Sequence, residues 1–142
     1  NHPNACNLCH TDKPIDWTLD YLAQWYGKKY SEKEIKAAYP QRKGPVAAGW
    51  MASDYEPVRL LGADAACRQN NRDLLPEIVK MLDDPFLINR QFTASRLETW
   101  LGIDLDEFGY RFYDSSSQRT DALKAIRVRI LDKNGDSVGK SD

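Results

Sequence analysis

Apolar residues return at intervals of three and four along most of this chain, with proline, glycine and short polar runs between them. That spacing predicts a succession of amphipathic helices. The first follows Thr11-Asp12-Lys13-Pro14, a capping residue and then a first-turn proline. It carries Ile15, Leu19, Leu22, Ala23 and Tyr26 on one stripe, with Trp17 and Trp25 on or beside it. Gly27 and the cations Lys28 and Lys29 close it, because glycine accepts a left-handed cap and positive charge suits the helix C-terminus. Ser31-Glu32-Lys33-Glu34 is a capping box for a short helix that must stop near Tyr39, ahead of Pro40. Pro40 to Pro45 reads as a linker.

Ser53-Asp54-Tyr55-Glu56 is a second capping box, followed by the stripe Val58, Leu61, Gly62 and Ala65. Leu75, Ile78, Val79 and Leu82 form another, ending at Asp83-Asp84-Pro85. Ala94, Leu97, Trp100 and Leu101 form a third, ending at Gly102. Asp54 before Arg59 and Asp84 before Arg90 make an internal echo, the two arginines being 90 − 59 = 31 positions apart. This resembles HEAT-type repeats and predicts stacked antiparallel helices. Phe108, Tyr110 and Phe112 alternate as a short strand or extended segment does. Ser115-Ser116-Ser117 reads as a loop before a last helix from Thr120 to Leu131, with Leu123, Ile126 and Ile130 inward. Asn134-Gly135 is a turn, and residues 136–142 form a frayed polar end. The expected architecture is all-α, with residues 1–40 as an N-terminal segment and 41–142 as the HEAT-like helical region.

Composition narrows the function classes. A length of 142 residues suits one domain, or one with a small appendage. A formal net charge of −1 indicates no nucleic-acid binder. No apolar run approaches the ~20 residues of a membrane span.

Chemistry concentrates at Cys6-Asn7-Leu8-Cys9-His10, a C-x-x-C-H sequence. Two thiols at that spacing can each form a thioether to one vinyl group of a porphyrin, and His10 then lies where its imidazole can meet the iron. The expected cofactor is one covalent haem c, bound by Cys6 and Cys9 with His10 as proximal ligand, a group that moves single electrons. Two rivals use the same residues. A redox dithiol needs a preceding strand, and none is patterned here. A zinc site would draw on His2, Cys6, Cys9 and His10, with the neighbours Cys9 and His10 strained on one tetrahedral ion. Covalent haem attachment takes place outside the cytoplasm in bacteria. Together with a chain that opens on Asn1, it leads us to expect a removed export signal and a periplasmic or otherwise extracytoplasmic protein.

For a second axial ligand, His2 is the remaining histidine, folding back onto this haem or reaching a neighbouring one. Met51, beside Trp50, is the weaker alternative, because Met81 sits on a core-like stripe. An open sixth site would make the chain a five-coordinate sensor or enzyme, with Arg59, Arg90 or Tyr110 as distal donors. Cys67, within Ala65-Ala66-Cys67, reads as a small buried apolar residue. Lys28, Lys29, Lys33, Lys36, Arg42 and Lys43 form a basic cluster, either a solvated face or a surface that steers an acidic partner.

The stretch Asn4-Ala5-Cys6-Asn7-Leu8-Cys9-His10-Thr11-Asp12-Lys13, with Trp17-Thr18 and Trp25-Tyr26-Gly27, resembles a family of bacterial multihaem c-type cytochromes, over the last haem motif. Arg59, Asp83-Asp84-Pro85, Asn89-Arg90-Gln91-Phe92 and Phe108-Gly109-Tyr110-Arg111-Phe112 look like the HEAT-like region that follows it there. The resemblance is specific over residues 3–27, looser over 54–113, and covers about half the chain; this sequence has one haem motif where the family has several. It implies electron transfer, as one redox station in a multihaem protein or larger redox complex. The partner would be a redox protein or a neighbouring haem-bearing chain.

Overall fold

The computed structural model describes residues 2–131, all-helical and without strands among them. Eight α-helices follow in order: α1 (Ala5–Cys9), α2 (Ile15–Tyr26), α3 (Glu32–Ala38), α4 (Val46–Met51), α5 (Glu56–Arg68), α6 (Leu75–Lys80), α7 (Leu87–Leu101) and α8 (Ser116–Leu131). Tight 3₁₀ turns lie at Arg72–Leu74, Met81–Asp83 and Leu105–Phe108. No helix among the described residues is long and apolar enough to cross a membrane. The turn at Asn134-Gly135 and the frayed end after it lie outside the described residues.

Local signals set several boundaries as expected. Gly27 ends α2 with φ +63°, its N–H bonded to the Ala23 carbonyl. The Ser31–Glu34 capping box is formed in both directions. Gly102 ends α7, again at φ +63°.

Other expectations need correction. Thr11 does not cap α2, whose N-cap is Pro14, outside the first turn and without a side-chain bond; Thr11 is buried and bonded to Gln69. The Ser53–Glu56 box does not form. Helix α5 starts at Glu56 with Tyr55 as N-cap, and the Ser53 and Asp54 carbonyls instead accept from the Arg59 guanidinium. The segment after Pro45 is helix α4, which no stripe announced because its Val46, Ala47, Gly49, Trp50 and Met51 are buried nearly all round. Phe108 to Phe112 contains no strand. Phe108 closes a 3₁₀ turn, Gly109 takes φ +72°, and the Tyr110 hydroxyl donates to the Leu82 carbonyl at 2.7 Å. The serine run starts α8 early: the Ser115 N–H donates to Gln118 Oε1 and the Gln118 N–H to Ser115 Oγ, a reciprocal cap.

The core is built from Trp50, Leu75, Ile78, Leu82, Leu97 and Ile126, all buried. Helix α5 packs against both α4 and α7. At the α4–α5 crossing, a Cβ on Gly62 would meet Trp50 Cβ at 3.0 Å, the Ala47 carbonyl at 3.2 Å and Met51 Cγ at 3.2 Å. These atoms are backbone or close to it and yield little. Gly62→Ala therefore loses more to overpacking than it gains in helix propensity, a net destabilisation of about 1–2 kcal/mol. Urea unfolding measures it, and a variant as stable as the parent would show that the helices do not cross this closely.

The internal echo has a physical basis, and it has a third member. Arg59 Nη1 donates to the carbonyls of Ser53 and Asp54, Arg90 Nη1 to those of Asp84 and Pro85, and Arg119 Nη1 to that of Asp114. Each arginine reaches back to the turn that leads into its own helix. Two of them also bind the carboxylates of the Asp83-Asp84 turn: Arg59 makes two bonds to that of Asp84 at 2.5 and 3.0 Å, and Arg119 two to that of Asp83 at 2.6 and 3.2 Å.

Candidate functional site

Helix α1 carries the C-x-x-C-H residues. Asn4 caps it, its Oδ1 accepting from the Asn7 N–H at 3.0 Å. Cys6 and Cys9, three positions apart, share one turn of this helix. Both are free thiols, Cys6 half-buried and Cys9 exposed. His10 is the C-cap, its N–H bonded to the Cys6 carbonyl at 3.1 Å.

Asn7 organises this turn. Its side chain is completely buried and uses both ends. Nδ2 donates to the carbonyls of His10 at 3.3 Å and Lys13 at 3.4 Å, and Oδ1 accepts from the Thr18 hydroxyl at 2.6 Å. A second clamp comes from the far side of the chain. Gln69, just after α5, accepts from the N–H and hydroxyl of Thr11 at 3.2 and 2.9 Å and donates to the Leu8 carbonyl at 2.7 Å. Asn71 adds a bond to the Thr11 hydroxyl at 3.2 Å. The cysteine–histidine turn is thus held by the helical region that follows it, and the two expected segments meet here. Val46 N–H to the Lys13 carbonyl, at 3.0 Å, is a further tie.

The His10 ring is exposed and stands at the head of an aromatic column. Its centroid lies 4.7 Å from that of Trp17, Trp17 lies 4.9 Å from Tyr21, and Tyr21 lies 4.8 Å from Trp25. Spacing of four residues puts Trp17, Tyr21 and Trp25 on one face of α2. Trp17 covers part of the imidazole and leaves the ring otherwise open.

Chemically, the donor set meets the demands of the haem c expected from the sequence. Two unpaired thiols share one helical turn at a surface, and an exposed imidazole, partly covered by Trp17, follows directly. Among the described residues no three His, Cys, Asp or Glu side chains lie close enough to hold a metal ion, so His2, Cys6, Cys9 and His10 are not gathered as a zinc cluster.

The remaining sequence candidates are placed as follows. His2 is exposed, and its carbonyl accepts from the Tyr39 hydroxyl at 2.7 Å, which ties the N-terminal arm to the end of α3. Burial pushes the Tyr39 phenol above its usual range and keeps that hydroxyl a donor. Met51 is buried in the core; it lines a cleft with Met81, Arg59 and Asp84 to which Cys6, Cys9 and His10 do not contribute. Cys67 is buried, and desolvation pushes its thiol up to about 12, so it stays an inert apolar residue. Arg59, Arg90 and Tyr110 bond to groups within the fold. In the basic cluster Arg42 is paired with Asp16 and Glu32, and Lys43 with Asp16 at 3.3 Å.

Nothing in the sequence marks Asn7, Thr18 and Gln69 as supports of this turn, and Thr11 reads there only as a helix cap. Asn7 looked like filler between two cysteines, and nothing near Gln69 marks it as the partner of a turn some 60 residues earlier. The one local hint is Asn4 three residues before Asn7, the spacing of a capped helix start. Compared with known proteins, the chain matches no family model, no curated protein and no solved structure.

Proposed function

We propose that this chain is an electron-transfer protein carrying one covalent haem c on Cys6 and Cys9, with His10 as proximal ligand. In this reading it is one redox station of a multihaem cytochrome or larger redox complex, working in the periplasm or another extracytoplasmic compartment. The observation that carries it is the cysteine–histidine turn itself: both thiols free on one helical turn, and the imidazole open beside them. The haem, when bound, supplies an iron that gains and loses one electron. The chain's own residues do the rest. The two thiols fix the macrocycle in place, His10 offers a nitrogen, Asn7 and Gln69 hold the backbone that presents it, and Trp17 shields one side of the ring. The competing reading, a five-coordinate haem that senses or transforms a small molecule, gains no support from Arg59, Arg90 or Tyr110, whose polar groups are used inside the fold.

Expression with an export signal, in a bacterium that has haem-attachment machinery, tests the proposal. The purified protein should be red, heavier than the polypeptide by one haem, and low-spin when reduced, without a spectral change under carbon monoxide. Cys6→Ala/Cys9→Ala should emerge at the mass of the bare chain. A wild-type protein with unmodified thiols, or with a colourless metal on them, removes the basis of this reading.

A further inference from the structure

The aromatic column does not stop inside the protein. Its last ring, Trp25, is 60 % exposed, and Tyr26 and Tyr30 beside it in the chain are 69 % and 50 % exposed. Trp25 and Tyr26 stand edge to face, 6.5 Å apart. Aromatic side chains gathered in solvent forgo the stabilisation that burial gives, and such patches mark surfaces that meet a partner. Lys28, Lys29 and Lys33 follow within the same stretch, all exposed. Over residues 21–43 six cationic side chains oppose two carboxylates, in a chain whose formal net charge is −1. Arg42 and Glu32 neutralise each other, Lys43 is taken by Asp16, and Glu34 is bonded to Ser31. The lysines therefore remain the dominant charge around the aromatic tip. Aromatic anchors at the centre with a charged rim are the anatomy of a protein docking site.

We infer that Trp25, Tyr26 and Tyr30, rimmed by Lys28, Lys29 and Lys33, form the docking surface for an acidic redox protein that exchanges electrons with the haem. The inference rests on the proposed haem at His10. The column Trp17–Tyr21–Trp25 joins the two places: eight residues of helix separate Trp17 from Trp25, about 12 Å along the axis. A partner seated on the patch is thereby in contact with the same ring stack that packs on the iron ligand. Opposite charge on the partner accelerates encounter and sets its orientation, while the aromatic centre holds the complex.

Stopped-flow reduction of the ferric holoprotein by a reduced plant-type ferredoxin, an acidic protein, tests this. One electron leaves the iron–sulfur cluster and one reaches the haem iron, so the step balances. The overall charge of the chain predicts a rate that rises with salt or ignores it. Docking at the lysines predicts a rate that falls. Lys28→Glu/Lys29→Glu/Lys33→Glu should slow the reaction by about ten-fold or more at low salt and reverse the salt dependence. Arg111→Glu/Lys124→Glu/Arg127→Glu, the same charge change away from the patch, should keep the wild-type sign. Trp25→Ala/Tyr26→Ala should raise the ferredoxin concentration needed for half-maximal rate several-fold, with unchanged helix content by circular dichroism. A wild-type rate that does not fall with salt, or equal effects from both charge triples, overturns the inference. So does self-association of the wild type that Trp25→Ala/Tyr26→Ala abolishes, since the patch would then face a second copy. A protein without haem overturns the functional proposal and this inference together; a haem protein indifferent to the patch variants overturns the inference alone.

Discussion

Asp84→Ala is expected to cost about 3–5 kcal/mol of folding stability, the usual effect of removing one member of a buried charge pair. The Asp84 side chain is 2 % exposed and its partner Arg59 14 %. Alanine would leave the guanidinium largely buried with only the Ser53 and Asp54 carbonyls, and would also free the Phe86 N–H, which now donates to Asp84 Oδ1 at 2.8 Å. Because Asp84 joins the turn before α7 to α5, the loss should be global and cooperative, visible as a lower urea midpoint.

The pH dependence has a definite sign. Burial alone would raise the Asp84 carboxyl, but hydrogen bonds from Arg59, the Phe86 N–H and Asn89 outweigh it and hold the group below the ordinary carboxylate range. A carboxyl depressed in the folded state binds its proton more readily once unfolded. Its contribution is complete above the unfolded value of about 3.9 and is lost as pH falls through the folded one. The stability gap between wild type and Asp84→Ala should therefore narrow in acid below about pH 3.9. Asp84→Asn, which can keep the bond to Phe86, should fall between them. A gap that persists unchanged at low pH would mean that the ion pair contributes nothing.

Asn7→Ala is expected to cost about 2–4 kcal/mol, concentrated in the N-terminal segment, because one truncation leaves several buried polar groups unpaired. The Thr18 hydroxyl loses its acceptor at 2.6 Å, and the His10 and Lys13 carbonyls lose a donor. Amide hydrogen exchange should quicken in α1 and the start of α2 and change little in α5 and α7. In the exported protein, haem attachment should fall, since the cysteines and histidine would no longer be presented on an ordered turn. Asn7→Asp keeps the acceptor for Thr18 and sets a carboxylate against two carbonyls, so it should be no better than alanine. Full attachment and unchanged exchange in Asn7→Ala would show that the turn needs no buried support.

The residues of the candidate site stand out in the sequence because their spacing is local: Cys6, Cys9 and His10 lie within five positions, and thiol spacing is a property of the chain itself. What holds them was not. Gln69 reaches Thr11 and Leu8 across 58 and 61 positions, and no pattern around it separates it from an ordinary helix-end glutamine. The repeat shows the same division. Arg59 and Arg90 echoed in the sequence because each follows an aspartate by a similar interval. Asp114 stands five positions before Arg119, the interval of Asp54 and Arg59, yet this third copy is masked by the serine run between them and shows itself only through the bonds of Arg119 to Asp114 and Asp83. Ser115 to Ser117 misled for a related reason, since a serine run is read as loop until the Gln118 side chain turns back to cap it.

By itself the sequence determined the helical class, the stops at Gly27 and Gly102, the start at Ser31 and the spacing of Cys6, Cys9 and His10. Each of these depends on backbone and side-chain preferences felt within one or two turns of helix. The tertiary structure alone decided that Asn7 is buried, that Asp84 answers Arg59, that Met51 lies in the core, and that Trp25 ends in solvent. Those outcomes depend on which surfaces meet when α2, α4, α5 and α7 pack. That is a balance of burial and hydrogen bonding between residues distant in the chain, to which local propensity does not contribute.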